Sequence, residues 1–457
     1  MPCNNLRRLL PAATLVILAA CGQDQQPTGP SPAAERASSA PPSSLAPLVR
    51  QLAAQRGIGP MARPPWVRPT LVRLGQALAF DKILSGNRDI SCMTCHLPAF
   101  ATGDARSLSI GQAATGLGPT RVHPTNAFIP RNAPSLFNLT ALTSLFWDGR
   151  VTVDHGKFHT PAGDALTPAM TWVLEFGPVS ALGLFPVMSR EEMRGQSGNE
   201  LALIPDSDNQ AIWRALMRRL GEIPEYRRMF EAAYPGTRFE RMSFAHASNA
   251  IGGFLVDQFS FINAPWDRFL AGDDRAMSAE QLAGAQTFLS IRCSLCHNGP
   301  AFTDNGFHNV ALAQFGPGKG NGAGGLDDFG RMNVSGQTVD QYRFRTTPLR
   351  NVELTGPYGH DGAFAGLRSF IGHYSESDLK LRNFDVNGLE PLLRNSLVAN
   401  ADAILATRDT ILNGVVLTET IVDQLTTFMG ALTDPRARDL RHTVPRRVPS
   451  GLPIDRP

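Results

Sequence analysis

The chain has 457 residues, a formal net charge of +3 at pH 7, and 42% hydrophobic residues. The roughly 390 residues that follow the N-terminal segment suit two or three ordinary domains. No basic run is interleaved with aromatic residues, which argues against a nucleic-acid partner.

The N-terminus is typical of an export signal. Arg7 and Arg8 precede an apolar stretch, Leu9 to Ala20, that is too short to span a bilayer as a mature helix. The stretch ends in Leu-Ala-Ala-Cys21, which resembles a bacterial lipobox with Cys21 as the lipidated first mature residue. The alternative is an ordinary signal peptide that is cut near the same place.

We therefore predict a lipoprotein signal peptide over residues 1–20 and a flexible tether over residues 21–65, which is rich in Pro, Ser, Ala and Gln. The mature protein is expected in the periplasm, lipid-anchored with a preference for the outer membrane. Membrane contact is expected through the lipid anchor only.

Two cysteine motifs carry the strongest chemical signal. They are Cys92-Met-Thr-Cys95-His96 and Cys293-Ser-Leu-Cys296-His297. C-x-x-C-H is the attachment signature of c-type haem, in which two thiols bond the porphyrin vinyl groups and the histidine binds the iron. A zinc site would need a matched second half nearby, and a redox dithiol does not need the histidine. Two covalently bound haem c groups are therefore predicted, with His96 and His297 as axial ligands.

The surroundings of the two motifs match each other, which indicates a duplication. Apolar residues at helical spacing precede each motif, and a Ser278-x-x-Gln281 capping box starts the second helix. These apolar positions are Leu71, Leu74 and Leu78, then Leu282, Ala285, Phe288 and Leu289. A final helix is predicted over about Glu419 to Leu432. A glycine-rich segment, Phe315 to Gly336, is expected to be a mobile loop.

This pattern predicts a mainly α fold with two cytochrome c-like haem domains, long loops and inserts. The N-terminal haem domain is predicted over residues 66–270 and the C-terminal one over residues 271–435. A basic, proline-rich tail over residues 436–457 is expected to be a solvated surface strap.

Further motifs resemble the bacterial di-haem cytochrome c peroxidases and their relative MauG, from about Leu74 to Asp434. The matching segments are Leu74 to Asp81, Arg131-Asn-Ala-Pro134, Phe146-Trp-Asp-Gly-Arg150, Glu192-Met193 and Leu349 to Gly362. The resemblance implies two haem domains packed face to face. It also implies that hydrogen peroxide reacts at the N-terminal haem, while the C-terminal haem stores or relays electrons.

The resemblance assigns roles to three further side chains. Trp147 matches a tryptophan between the haems that relays electrons, although a plain core aromatic is the alternative. Glu192 matches the carboxylate that moves a proton between the two peroxide oxygens as general base and then acid. The neighbouring Glu191 shows that a solvated glutamate is the alternative reading. Arg345 lies where the family has an arginine near the haems, on a propionate.

A calcium ion between the domains is also implied by the resemblance. Asn132 would supply a side-chain oxygen, and Thr355 and Pro357 would supply carbonyl oxygens. Oxygen ligands suit a hard cation. The alternative is that these residues simply make turns.

The chain departs from the peroxidases at the sixth ligand of the C-terminal iron. The family has methionine 14 residues after the histidine that matches His360, and this position is Tyr374. MauG also has tyrosine at this ligand. A phenolate favours higher iron oxidation states than a thioether does. The alternatives to Tyr374 are Met332, Met429 and His373.

A second departure concerns the N-terminal iron, which many peroxidases close with a histidine in the resting state. Here Ser109-Ile-Gly-Gln112 places a glutamine at that position. Glutamine rarely binds haem iron, and His123 is a less direct substitute. We therefore predict an open, always reactive iron, with Gln112 and His123 as the alternatives for a sixth ligand.

Three functions follow from these features. The first is a MauG-like oxidase that withdraws electrons from a protein substrate. The second is a cytochrome c peroxidase that reduces hydrogen peroxide with electrons from a small cytochrome. The third is a non-enzymatic di-haem electron carrier.

Overall fold

The structure is a computed structural model, and it describes residues 45–456. The predicted signal peptide, Cys21 and the tether up to residue 44 lie outside the described residues. Helices account for 45% of the structure and strands for 7%, so the prediction of a mainly α fold is confirmed.

The helices are short and are separated by long loops and 3-10 turns. In the N-terminal part they are α1 (Ala46–Gln55), α2 (Pro69–Phe80), α3 (Cys92–Cys95), α4 (Pro168–Thr171), α5 (Pro178–Ala181), α6 (Asn209–Gly221), α7 (Pro224–Ala233), α8 (Phe244–Gln258) and α9 (Pro265–Leu270). In the C-terminal part they are α10 (Ala279–Ser290), α11 (Cys293–Cys296), α12 (Met332–Ser335), α13 (Leu367–His373), α14 (Ser377–Arg382), α15 (Ala401–Ala406) and α16 (Glu419–Ala431).

The described residues include two small antiparallel sheets. Their strands are β1 (Ser144–Leu145), β2 (Val151–Asp154) and β3 (Lys157–His159) in one sheet, and β4 (Phe307–His308) and β5 (Phe344–Arg345) in the other. Leu145 pairs with Val151, and Phe307 pairs with Arg345. The β1–β2 turn carries the Trp147 segment.

Each cysteine motif follows a helix that crosses a later helix at a glycine. α2 packs on α8, and a Cβ on Gly75 would lie 1.8 Å from the carbonyl oxygen of Ala250. α10 packs on α16, and a Cβ on Gly284 would lie 2.2 Å from the carbonyl oxygen of Gln424. Only glycine permits such close approach of two backbones. The helices predicted before the two motifs and near the C-terminus are therefore present, in the same arrangement in each half.

Two large hydrophobic cores correspond to the two halves. The first runs from Val67 to Phe261, and the second includes α10, α16 and the Leu349–Tyr358 region. Trp266 and Phe269 of α9 belong to the second core, although they precede the predicted boundary at residue 270.

The prediction of a flexible tether up to residue 65 is wrong for α1. Val49 and Ala53 are fully buried, and α1 packs on α10 in the second core. The Pro- and Ala-rich composition concealed apolar residues at helical spacing, which gave this helix a buried face.

The C-terminal tail is also packed rather than solvated. Ala437, Leu440 and Val448 join the first core, and the Asp455 carboxylate lies 2.6 Å from the Lys82 ammonium. The tail is a strap, as predicted, but apolar contacts and a half-buried ion pair attach it to the N-terminal half.

Polar contacts join the two halves. Arg131 binds Asp328, Arg106 binds Glu390, and the Arg345 N–H donates to the carbonyl of Trp147 at 2.8 Å. Within residues 45–456, no helix combines the length and apolar character that crossing a bilayer requires.

Candidate active site

The two motif histidines have the same local geometry. The Nδ1–H of His96 donates to the carbonyl of Thr102 at 2.9 Å, and that of His297 donates to the carbonyl of Phe302 at 3.0 Å. Burial lowers the pKa of both imidazoles. Burial thus favours the neutral imidazole in both motifs, which is the form that binds a metal.

The C-terminal motif opens onto a cavity of about 510 Å³ whose wall is mostly apolar. Cys293, Cys296, His297 and Tyr374 all line it. The two thiols are unpaired, as attachment to a porphyrin requires. These residues therefore fit a covalently bound haem with a histidine and a second potential ligand.

The alternatives to Tyr374 differ in their positions. Met429 also lines the cavity, from α16. His373 is buried, and its Nε2–H donates to the carbonyl of Val310 at 2.8 Å, so this atom is engaged elsewhere. Met332 is not among the lining residues of the cavity. Tyr374 as the iron ligand stays a prediction.

Arg345 is a buried cation beside the same cavity. Its Nε donates to the carbonyl of Phe146 at 3.1 Å, and burial lowers the pKa of its guanidinium to about 10. No carboxylate among the described residues pairs with it. A buried, unpaired guanidinium suits an anion such as a haem propionate.

Trp147 lies where the two halves meet. Its indole Nε1–H donates to the carbonyl of Asn132 at 2.9 Å, and its ring lines the C-terminal cavity. The preceding residue, Phe146, packs edge-on against Phe185 on the N-terminal side. This position suits the predicted relay role.

The three predicted calcium ligands come together around one cavity. Asn132, Thr355 and Pro357 all line the C-terminal cavity. The N–H of Asn132 donates to the carbonyl of His360 at 2.9 Å. The next residue, Asp361, is 2% exposed, and neither carboxylate oxygen finds a hydrogen-bond donor among the described residues. A buried carboxylate without donors suits a nearby cation.

Glu192 lies in a π-helical turn, Arg190–Arg194, next to the first motif. The N–H of Glu192 donates to the Ser189 hydroxyl at 3.3 Å, which caps the turn. The side chain is 26% exposed and lines an open cavity. Burial raises the pKa of Cys92 to about 12, and the charge of the Glu192 carboxylate adds to this shift.

Two cations share that cavity with Glu192. The Arg150 Nη2 lies 4.0 Å from the Glu192 Oε1, and Lys319 also lines the cavity. Burial raises the pKa of the Glu192 carboxyl, and Arg150 and Lys319 partly oppose the rise. The neighbouring Glu191 is more exposed, at 48%, and lies 3.8 Å from Lys319.

Gln112 packs against the turn that carries Glu192. Its Nε2 donates to the carbonyl of Met193, and a Cβ on Gly111 would lie 1.9 Å from the carbonyl oxygen of Glu191. His123 accepts a hydrogen bond at its Nδ1 from the Thr125 N–H at 3.0 Å. The open N-terminal iron stays a prediction.

Sequence reasoning missed Lys319, Asp361 and the role of Arg150 beside Glu192. Lys319 approaches from the other half of the chain, so its position has no local signal. Arg150 was noticed only as part of the Phe-Trp-Asp-Gly-Arg motif, in which the direction of its side chain is not evident.

Residues 69–275 match the family of di-haem cytochrome c peroxidases. The methylamine utilization protein MauG of Methylorubrum extorquens is 28% identical over 373 residues, which cover 81% of this chain and 87% of that protein. The cytochrome c551 peroxidase of Pseudomonas aeruginosa is 29% identical over 306 residues, which cover 67% of this chain and 72% of that protein.

A solved structure with the same fold is a MauG-like protein associated with microbial copper homeostasis. It has a TM-score of 0.58 and 24% identity, and the match covers 84% of this chain and 96% of that one. This likeness shows the fold. The family-model match and the sequence relatives support the di-haem cytochrome c peroxidase and MauG family, and with it an oxidoreductase of that type.

Proposed function

We propose that the enzyme reacts with hydrogen peroxide at the N-terminal haem and withdraws electrons from a protein substrate through the C-terminal haem, as MauG-like enzymes do. The observation that carries this proposal is Tyr374, which lines the same cavity as His297. The two haems, when bound, supply redox centres that accept and pass on single electrons.

Tyr374 favours an oxidase over a peroxidase that takes electrons from small cytochromes. A thioether ligand stabilises Fe(II) and raises the potential, whereas an anionic oxygen ligand stabilises more oxidised iron. A C-terminal haem with this ligand is a poor acceptor for electrons from a small cytochrome. It is better suited to hold an oxidising equivalent until a protein substrate supplies electrons.

Glu192 supports the peroxide step. Reduction of peroxide consumes two electrons and two protons and yields two waters, so a proton must reach the leaving oxygen. A carboxylate that lines an open cavity, and whose charge acts on the Cys92 thiol, is suited to accept and return that proton.

Trp147 supports the link between the two halves. Its ring lines the C-terminal cavity, and the Arg345 N–H donates to its carbonyl at 2.8 Å. Electrons drawn from the C-terminal side would therefore pass a residue whose backbone is held by the C-terminal half and whose indole is held by Asn132 of the N-terminal half.

The setting of the enzyme is part of the proposal. The export signal and the lipobox at Cys21 support a periplasmic, lipid-anchored protein. The buried Asp361 carboxylate follows His360, whose carbonyl accepts from the Asn132 N–H, and it supports a calcium ion between the halves.

A second candidate is reduction of hydrogen peroxide with a small cytochrome as electron donor. The 29% identity to a cytochrome c551 peroxidase favours it. The electron-carrier alternative is set aside, because the family consists of oxidoreductases.

The test compares two measurements on the haem-loaded protein. The first is the lifetime of the peroxide-oxidised protein without a donor, followed by optical absorption. The second is the steady-state oxidation of a reduced small c-type cytochrome by peroxide. The oxidase predicts a long-lived oxidised state and little cytochrome turnover. Rapid, saturable cytochrome oxidation with immediate return to the ferric protein would contradict it.

Tyr374→Met should shorten the oxidised lifetime and increase cytochrome turnover. Tyr358→Phe is the matched control, because Tyr358 lines the same cavity while its hydroxyl donates to the carbonyl of Val352 at 2.9 Å. If Tyr374→Met and Tyr358→Phe change the oxidised lifetime and the cytochrome turnover equally, the cavity as a whole, and not Tyr374 as a ligand, determines which electron donor the enzyme uses.

A further inference from the structure

A row of alternating charges runs from the C-terminal half to Glu192. The Arg131 guanidinium lies 2.6 Å from both Asp328 and Asp148. Asp148 in turn lies 3.3 Å from Arg150, whose other nitrogen is 4.0 Å from Glu192. The row therefore ends at the carboxylate to which the proposed function gives the proton transfer.

Arg150 is held in place by three contacts. Its N–H donates to the Asp148 carboxylate at 3.1 Å, and its guanidinium reaches the same carboxylate at 3.3 Å. The guanidinium also lies over the Phe146 ring, 3.8 Å from its centre. A cation over an aromatic face is attracted by the ring. Asp148 and Phe146, rather than Glu192 itself, therefore orient the Arg150 guanidinium towards Glu192.

Lys319 reaches the same cavity from the C-terminal half. It lies in the glycine-rich segment, in a turn where its N–H donates to the carbonyl of Asp327 at 3.0 Å. Gly318 has a φ of +65°, and a Cβ there would lie 2.2 Å from the carbonyl oxygen of Leu326. A glycine at 318 is required for this tight turn. The turn places the Lys319 ammonium 3.8 Å from Glu191 and at the wall of the cavity that Glu192 also lines.

Other charged groups face Glu192 or its cavity. The charge of Glu191 raises the pKa of the Glu192 carboxyl, whereas the charge of Arg131 lowers it, as those of Arg150 and Lys319 do. The remaining charged or titratable residues that line the cavity are Asp148, Asp154, Lys157, His159, Asp164 and Arg331. Arg331 is committed to the carbonyls of Asp148 and Gly149, at 3.0 and 3.1 Å.

We propose that Arg150 and Lys319 are positioning residues that keep Glu192 ionised and directed into the cavity, so that the C-terminal half completes the proton-transfer site of the N-terminal half. This inference rests on the proposed role of Glu192. A base must be ionised before it can accept a proton, and burial alone favours the neutral form. Arg150, 4.0 Å from the carboxylate, and Lys319, in the same cavity, partly offset that preference.

The expected effect is a shift in the proton affinity of Glu192. Loss of an opposite charge within about 4–6 Å changes a carboxyl pKa by about 1–3 units. Arg150→Met should therefore raise the midpoint of Glu192 titration by about 1–3 units. Lys319→Met should raise it by about one unit or less, because Lys319 contacts Glu191 directly and Glu192 at longer range.

The experiment is an infrared titration of the haem-loaded, full-length protein. The carboxylic-acid band of Glu192 is assigned by its loss in Glu192→Gln. The pH dependence of the rate with hydrogen peroxide is measured in parallel, and its acid limb should shift upward with the infrared midpoint. Arg150→Lys and Lys319→Arg should restore most of the wild-type midpoint, because they keep the charge.

Arg88→Met is the matched control. Arg88 lies 3.6 Å from Glu200 in an exposed pair on the N-terminal half, so its loss removes a cation and leaves Glu192 unaffected. An infrared midpoint that is unchanged in both Arg150→Met and Lys319→Met would overturn the inference. If Arg150→Met does not fold, Lys319→Met still decides the matter: Lys319 lies in a turn with 31% of its side chain exposed, and an unchanged midpoint in this variant would then overturn the inference.

Failure of the proposed function gives a different result. If Glu192→Gln reacts with peroxide as fast as the wild type, Glu192 does not carry the proton and the proposed function loses its peroxide step. The infrared midpoints of the Arg150 and Lys319 variants still report on the positioning role in that case.

Discussion

Arg131→Met should destabilise the protein strongly, because Arg131 holds together two buried carboxylates from different halves. Its guanidinium makes hydrogen bonds of 2.6 Å to Asp148 and of 2.6 and 2.8 Å to Asp328. The arginine side chain is 8% exposed, and both carboxylates are 5% exposed. Methionine fills similar volume but leaves both anions without their main partner.

The expected loss follows from that burial. Removal of one partner from a buried ion pair costs about 3–5 kcal/mol, because an uncompensated charge remains. Arg447→Met is the control, since it removes an arginine that also makes two hydrogen bonds to a carboxylate, with Glu225, but on an exposed surface. That substitution should change the free energy of unfolding little.

The ion pair of Arg131 with Asp148 also predicts how the stability of the protein depends on pH. Burial alone would raise the pKa of the Asp148 carboxyl, but the charges of Arg131 and Arg150 lower it to about 2. A carboxyl whose pKa is lower in the folded state stabilises the fold above its unfolded pKa, and this stabilisation is lost as the pH falls towards the folded pKa. The wild type should therefore lose about 2 kcal/mol from this group between about pH 4 and pH 2. Arg131→Met should lose less in that range.

Urea-induced unfolding of the haem-loaded protein, followed by far-ultraviolet circular dichroism, measures both effects. If Arg131→Met lowers the free energy of unfolding at pH 7 by less than about 1 kcal/mol, the ion pairs of Arg131 do not stabilise the protein as buried pairs, because such a value is typical of an exposed pair. An unaltered acid dependence in the variant would refute the assignment of the acid limb to Asp148.

Three further predictions concern the site. Glu192→Gln should slow the peroxide reaction about 100- to 10,000-fold and leave the resting spectrum unchanged. Glu191→Gln should change the rate little. Stopped-flow absorption at varied peroxide concentrations measures the rates of both variants. Tyr374→Met should raise the reduction potential of the C-terminal haem in a redox titration, and Tyr358→Phe should not. A calcium chelator should lower the thermal unfolding midpoint of the wild type. Asp361→Asn should remove most of this sensitivity to the chelator. If both proteins are equally sensitive, the result would contradict a cation near Asp361.

Much of the fold could be predicted because its signals are local. The cysteine motifs, the capping box at Ser278 and the apolar spacing before each motif are contained in short segments, and the structure has helices there. The helix α1 was missed because Pro- and Ala-rich composition outweighed a short amphipathic pattern. Its stability comes from the second core, which a local reading does not contain.

In the candidate site, too, the residues with a local sequence signal were predicted and the others were not. Glu192 was predicted from its place in a matched motif and Tyr374 from its spacing after His360, and each lines a cavity in the structure. Lys319 was not found, because more than a hundred residues separate it from Glu192 along the chain. Asp361 was missed because nothing in the sequence shows that a carboxylate is buried without hydrogen-bond donors.

We propose that the two haems are unequal: His96 would hold an open iron, and His297 and Tyr374 would both bind the other iron. Electron paramagnetic resonance of the ferric protein, before and after one equivalent of hydrogen peroxide and without a donor, tests it most directly. We predict one high-spin signal from the N-terminal haem and a separate signal from the C-terminal haem, both of which disappear with peroxide and return slowly. Two low-spin signals that peroxide leaves unchanged would contradict the claim.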